Sequence, residues 1–212
     1  MYSPKFNRVD DRAILLEAMQ SYSFAILFGP NGTSPDGTKS EDTMTASHLP
    51  LLVKDEGEHG LLEGHFAHAN KHWSGLAGRE TLVVFPGPHT YVSPSLYTEE
   101  LSVPTWNYIA IHAYGTLELI EDPDNKKRLV EELIAKHDPQ YLNQWHGLPE
   151  GYQRTMLAGI MGFRIPIARI EGKFKLSQNR AAQERHNVQI AQASGSDDQQ
   201  ELARWMVRLG GI

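Results

Sequence analysis

Hydrophobic and polar positions alternate most plainly between Trp106 and Ile120. There Ile109, Ile111, Ala113, Gly115, Leu117 and Leu119 interleave with Tyr108, Ala110, His112, Tyr114, Thr116 and Glu118. A period of two turns one face of a strand toward a core and leaves the other largely polar. A strand this long usually bends or serves two sheets, and Gly115 is the natural place for the break. Shorter runs, Ser23 to Phe28, Thr43 to Val53, Leu61 to Ala67 and Leu82 to Phe85, read as further strands. Phe163, Ile165 and Ile167 alternate again, and Pro166 restricts that strand to an edge or a bulge.

The helical period takes over after Asp10, which caps a stretch carrying Ile14, Leu15, Ala18 and Met19. Asp122 and Pro123 open another helix as cap and first-turn residue, with Leu129, Val130, Leu133 and Ile134 as its buried stripe. Glu150 to Ile160 and a turn around Trp73 read as helical as well. Near the end, Ser196 and Gln199 match a capping box, Leu202, Met206 and Leu209 form a stripe, and Gly210 can end the helix. Gly29 to Asp42 is a loop rich in Gly, Pro, Ser and Thr, and Lys54 to Gly60 is a polar turn. Roughly six strands, with helices between and after them, predict a mainly β antiparallel barrel with peripheral helices. The strand–helix alternation of a doubly wound parallel sheet is missing. Residues 1–212 read as one domain, with a helical extension from about residue 181.

Composition narrows the function classes. Hydrophobic residues make up 40% and charged residues 22% of the 212, as in ordinary globular proteins. No run approaches the length a membrane span needs, and Met1 to Asp10 lacks the apolar core of a signal peptide, which points to a cytoplasmic protein. The absence of cysteine excludes disulfides, thiolate metal sites and cysteine nucleophiles. A net charge of −6 disfavours a broad nucleic-acid surface, although a local basic site is compatible with it.

Several segments carry candidate chemistry. GTSPDGTKS, Gly32 to Ser40, resembles a phosphate-binding loop, but Thr38 separates Gly37 from Lys39 and an extended segment follows, so it reads as a surface loop. In GHFAHANKHW, Gly64 to Trp73, His68 and His72 have the spacing of a zinc protease pair, but Ala69 stands where the glutamate is required. Asn70, Lys71 and His72 follow a strand end and suit an anion, or belong to an ordinary polar loop. FPGPHTYVSP, Phe85 to Pro94, reads as a rigid turn. VPTWNY places Trp106 and Asn107 at a strand entrance, either as core or as the wall and rim of a site for a flat ligand. In GKFKLSQNR, Lys173, Lys175 and Arg180 concentrate positive charge in an otherwise acidic chain, with Ser177, Gln178 and Asn179 as neutral donors. That points to an anionic ligand or acidic partner, with a solvated basic loop as the plain alternative. No nucleophile elbow and no paired carboxylates stand out.

Five segments occur in an order that resembles the PaiB family of FMN-binding negative transcriptional regulators. They are SHLPLL (Ser47 to Leu52), GHFAHANKHW, VVFPGPHTYVSPSLY (Val83 to Tyr97), VPTWNYIAIHAYGTLELIED (Val103 to Asp122) and IEGKFKLSQNR (Ile170 to Arg180). The opening MYSPKF is also similar, and the resemblance extends to about Arg185. It implies a split β-barrel related in shape to pyridoxamine-phosphate oxidases and flavin reductases. It further implies a homodimer that holds FMN in grooves between subunits.

Carried onto this sequence, the resemblance puts Thr45, Ser47 and His48 at the edge of the isoalloxazine. It puts His65, Asn70 and Lys71 at the phosphate, Trp106 and Asn107 as a contribution from the second subunit, and Gln178 and Arg180 as closing the pocket. No metal site is implied.

The implied role is regulation, through a small-molecule or protein partner if not through DNA directly. An FMN-dependent oxidoreductase or flavin reductase is the alternative, and a haem binder using His65, His68 or His89 is a further one. The acidic charge and the lack of a recognisable helix-turn-helix speak against direct DNA contact.

Overall fold

A computed structural model describes residues 1–32 and 43–210. The proposed loop segment GTSPDGTKS lies, apart from Gly32, outside the described residues. In chain order the strands and helices are β1 (Arg8–Val9), α1 (Arg12–Ser21), β2 (Phe24–Pro30), β3 (Met44–Pro50), β4 (Leu52–Lys54), β5 (Leu61–Ala67) and α2 (His72–Leu76). There follow β6 (Glu80–Val92), β7 (Thr105–Thr116), β8 (Glu118–Ile120), α3 (Pro123–His137), α4 (Tyr141–Gly147) and α5 (Glu150–Ala158). The chain continues with β9 (Ile160–Pro166), β10 (Arg169–Lys175), α6 (Ala182–Ala193) and α7 (Asp197–Gly210). Among the described residues no helix is long and apolar enough to cross a membrane.

The chain forms two compact units. The first comprises Met1–Leu15, Pro86–Ile111 and Glu171–Ile212; the second comprises Leu16–Phe85 and His112–Ile170. In the first unit the sheet order is β1-β10-β7-β6, with Arg8 opposite Lys173 and Val9 opposite Gly172. Phe174 of β10 is fully buried and meets Trp205 of α7 edge-on, with ring centroids 5.2 Å apart. Ile109, Leu202 and Met206 are also buried. Burying each such side chain stabilises the fold by about 1.5–3 kcal/mol. The capping box of α7 is half made: Ser196 N donates to Gln199 Oε1 at 2.8 Å.

The segment Phe85 to Pro94 is not a turn as the sequence predicts. It is mostly strand, because β6 continues through both prolines to Val92. The reason is its place in the sheet. In the first unit β6 is the edge, and an edge strand can lack the N–H groups that Pro86 and Pro88 remove.

The second unit holds β6-β2-β3 and a separate sheet ordered β4-β5-β9-β8, all antiparallel. The predicted extended segment Thr43 to Val53 is two strands in different sheets, parted after Pro50. The long alternating strand also divides between two sheets, but the break falls at Leu117 rather than at Gly115. Gly115 is needed for another reason: a Cβ there would lie 2.2 Å from the Pro166 carbonyl oxygen. The strand around Phe163 is interior, not an edge or a bulge. Pro166 is tolerated because it is the last residue of β9, where its missing N–H interrupts nothing beyond it.

Phe66 and Phe163 stack at 5.0 Å on one face of the smaller sheet, both fully buried. Leu129 and Leu133 of α3 cluster with Leu52 and Ile120. Beside them Glu63, 4% exposed in its side chain, takes Arg128 Nη2 at 3.0 Å and Lys54 Nζ at 2.7 Å. Glu132 closes the network on Lys54 and on Arg128, the latter at 2.6 Å.

Candidate functional site

In the second unit, β3 and the start of α2 bring predicted site residues together. Alternation along β3 puts Thr45 and Ser47 on one face and His48 on the other. Ser47 is buried, and its Oγ lies 2.9 Å from His72 Nδ1. His72 N donates to Asn70 Oδ1 at 3.2 Å, which leaves Asn70 Nδ2 to donate to Ser47 Oγ at 3.2 Å. A hydroxyl keeps two lone pairs beside its proton, so Ser47 Oγ bonds Asn70 and His72 Nδ1 together, and the ring tautomer sets which of Ser47 and His72 donates. His72 Nε2 is buried and has no hydrogen-bond partner among the described residues. Burial favours the neutral imidazole and lowers its pKa, an effect the neighbouring Gly29 backbone partly offsets.

Two close approaches set this geometry. A Cβ on Gly32 would stand 2.0 Å from the Lys71 carbonyl oxygen, and one on Gly75 would stand 2.1 Å from that of Pro30. The end of β2 and the first turn of α2 can be this near only because glycine occupies both positions. Lys71, half-buried, donates from Nζ to the His68 carbonyl at 3.3 Å and sits 5.4 Å from the Trp73 ring. Among the described residues it has no carboxylate partner.

His65 points elsewhere. Its cross-strand partner is Gly162, whose Cβ position faces Leu129 of α3. Directly opposed residues share a face, so His65 lies on the α3 side, while Phe66 on the other face meets His72 at 6.0 Å. Its Nδ1 is buried and unpartnered, and burial lowers its pKa. His48 is exposed on the outer face of β3, 6.3 Å from the ring of Phe24. That face is apolar. Phe24 is 60% and Met44 70% exposed, and Ile26, Phe28, Leu82 and Val84 continue it across β2 and β6.

The first unit holds the other four predicted residues. Trp106 is half exposed between His89, at 6.2 Å, and Tyr91, at 6.0 Å. Asn107 is fully buried: its Oδ1 accepts from Ser177 Oγ at 3.0 Å, and its Nδ2 faces the Met206 sulfur at 3.9 Å. Ser177 holds a φ of 63°, a left-handed conformation secured by this contact. Gln178 closes its own turn, accepting from Leu176 N at 2.7 Å and donating to the Phe174 carbonyl.

Arg180 stacks on Tyr97 at 3.8 Å and reaches Ser102 Oγ at 3.3 Å. Glu184 accepts from Thr98 N at 3.0 Å and Glu99 N at 3.2 Å. Burial works to raise its pKa, but these bonds and Arg180 prevail and lower it. The sequence offered no sign of Glu184 or Tyr97, because their partners lie far along the chain. The sequence shows His72 as half of a metal pair or as one of three anion donors with Asn70 and Lys71, but not as the partner of Ser47.

A flavin mononucleotide has a flat apolar ring, a polar rim and a doubly charged tail. The second unit supplies a half-buried lysine without a carboxylate partner among the described residues, next in the chain to an amide that bonds a buried hydroxyl, and, on the other face of β3, an open apolar surface. This donor set fits such a ligand. Residues 1–169 match the family described as "Putative FMN-binding domain". The protein named Protease synthase and sporulation protein PAI 2, from Bacillus subtilis, is 35% identical over 194 residues, covering 89% of this chain and 87% of its own. A protein from Emericella nidulans is 30% identical over 182 residues, covering 68% of this chain and 72% of its own. The crystal structure of a conserved hypothetical protein from Mycobacterium tuberculosis superposes with a TM-score of 0.57 at 14% identity, covering 85% of this chain and 94% of that one. The likeness shows the fold, a mainly antiparallel split β-barrel with peripheral helices. The chain belongs to the FMN-binding family that includes the PAI 2 protein, and FMN is its cofactor.

Proposed function

We propose that this chain is a homodimeric, FMN-binding negative regulator of transcription, working in the cytoplasm through a small-molecule or protein partner. The observation that carries the site assignment is the hydrogen-bonded convergence of Ser47 with Asn70 and His72, with Lys71 next in the chain to both. On this reading Lys71 and Asn70 hold the phosphate and Thr45 and Ser47 meet the rim of the ring, while His48 stands on the opposite face of β3, outside this pocket. Trp106, from a second copy, offers an exposed aromatic face. Asn107 and Gln178 act at one remove, by holding the turn after β10, and Arg180 does so through Tyr97. The open apolar face of β2, β3 and β6 supports the homodimer, since a patch of this kind on one subunit is ordinarily covered by another.

When bound, FMN supplies hydride and single-electron transfer, and the side chains bind and orient it. Titrating FMN into the apoprotein, followed by quenching of flavin fluorescence, tests the site. Lys71→Ala should weaken binding roughly tenfold or more through loss of a charge-assisted bond. Unchanged affinity removes Lys71 from the phosphate site. Sedimentation of the flavin-loaded protein as a monomer would remove the dimer. NAD(P)H consumption by that protein with an added acceptor would replace the regulator with an oxidoreductase.

A further inference from the structure

The positive segment after Glu171 is only partly used by the reading above. Lys173 and Lys175 alternate with Phe174 on β10, so both lie on the sheet face opposite the one that receives Trp205. Lys173 is only 9% exposed. Its Nζ sits between two tyrosine rings, 5.2 Å from Tyr108 and 5.6 Å from Tyr2, and donates to the Tyr2 carbonyl at 3.2 Å. Lys175 donates to the Thr105 hydroxyl. Among the described residues neither ammonium group meets a carboxylate.

The other charges of the same face do not neutralise them. Arg8, opposite Lys173, is paired with Asp10 at 2.7 Å, and Glu171 is held by the Met1 ammonium group. Two neighbouring cations, one buried and one half-buried, without a counter-ion among the described residues are costly to keep. An acidic chain that keeps them has a reason to, and an incoming anion is the plainest compensation. Both residues lie beyond the 1–169 stretch that matches the FMN-binding family.

We propose that Lys173 and Lys175, with the Thr105 hydroxyl between the strands and Tyr108 as an aromatic wall, bind the phosphate or carboxylate group of a small second ligand. The lysines supply the charge and Thr105 orients Lys175. Such a ligand would be an effector or a substrate of the flavin-loaded protein. The assignment does not depend on Lys71.

The test uses FMN-saturated protein, with inorganic phosphate and acetate as probes and the thermal midpoint as readout. Saturable stabilisation by either probe is expected, and the stronger probe identifies the class. Lys175→Gln should weaken that response roughly tenfold or more, Lys175→Arg should largely restore it, and FMN affinity should stay unchanged in both. Lys173→Gln should act likewise. If its buried position prevents folding, Thr105→Val reports on the same site from the other strand.

The proposal fails if neither probe stabilises the wild type, or if Lys175→Gln responds as the wild type does. A parallel loss of FMN affinity in Lys175→Gln would also overturn it, by assigning the lysines to the flavin. Failure of Lys71→Ala to change FMN affinity would concern the flavin site alone.

Discussion

Two strand lysines of this chain live in opposite electrostatic surroundings. Lys54 is mostly buried, but Glu63 and Glu132 stand 2.7 and 2.5 Å from its Nζ, and Arg128 completes the group. Burial alone would lower its pKa, yet the two carboxylates outweigh that and raise it. Among the described residues Lys175 has only the Thr105 hydroxyl, and burial together with Lys173 lowers its pKa. The same residue type on the same kind of strand is a strut in one place and a standing cost in the other. A fold compensates the charges it uses for itself, and an uncompensated pair marks a place where the compensation comes from outside.

Removing the anchor of the compensated group should have the largest effect. Glu63→Ala leaves Lys54 and Arg128 facing each other over a buried hole, and should cost about 3 kcal/mol in urea unfolding. Burial acts to raise the Glu63 pKa, but bonds from Arg128 and Lys54 prevail and hold it below the ordinary 4.5. A depressed carboxylate contributes stability above its unfolded value and loses it as pH falls through the folded one. Wild type should therefore lose stability in acid from about pH 4.5 downward, and the variant should lose less over that range. Equal acid slopes would show that the network is not what Glu63 contributes.

The next step keeps Glu63 and removes its cation. Lys54→Met leaves Arg128 on both carboxylates, so the cost should be smaller, about 1–2 kcal/mol, read from the same urea midpoints. A cost near that of Glu63→Ala would mean that Lys54 and not Arg128 is the principal partner.

How far the sequence shows these arrangements depends on how local they are. The alternation from Trp106 to Ile120 needs only neighbouring residues, and it announced both the strand and its division between sheets. The lysines of β10 were visible as charge density for the same reason. The prolines at 86 and 88 misled because their tolerance depends on β2 pairing with β6 only up to Val84, and sheet pairing is not a local property. Thr45, Ser47 and His48 sit together in sequence, but a strand turns alternate residues to opposite faces. His65 and Lys71 look like neighbours in one loop, yet the strand ending at Ala67 sends His65 toward α3. Asn107 reads as a ligand donor until Ser177, seventy residues later, takes its carbonyl oxygen.

The smallest effect is expected where the comparison is sharpest. Lys175→Met loses one hydrogen bond to Thr105, worth about 1 kcal/mol, and gains by removing a desolvated charge and its repulsion with Lys173. The two should nearly cancel, leaving stability within about 0.5 kcal/mol of wild type at neutral pH. The pH dependence separates this cancellation from mere insensitivity. A lysine whose folded pKa lies below the ordinary 10.5 destabilises the fold while charged, and the penalty is relieved as pH rises from that folded value to the unfolded 10.5. Wild type should gain stability over that interval, and Lys175→Met should not. Lys54 works in the opposite sense, since its raised pKa keeps its contribution in place through the same range. A loss in Lys175→Met as large as that of Lys54→Met would make Lys175 a second strut and remove the energetic ground for an anion at β10. Near-neutrality with the alkaline gain abolished would leave a charge that the folded protein does not need for itself.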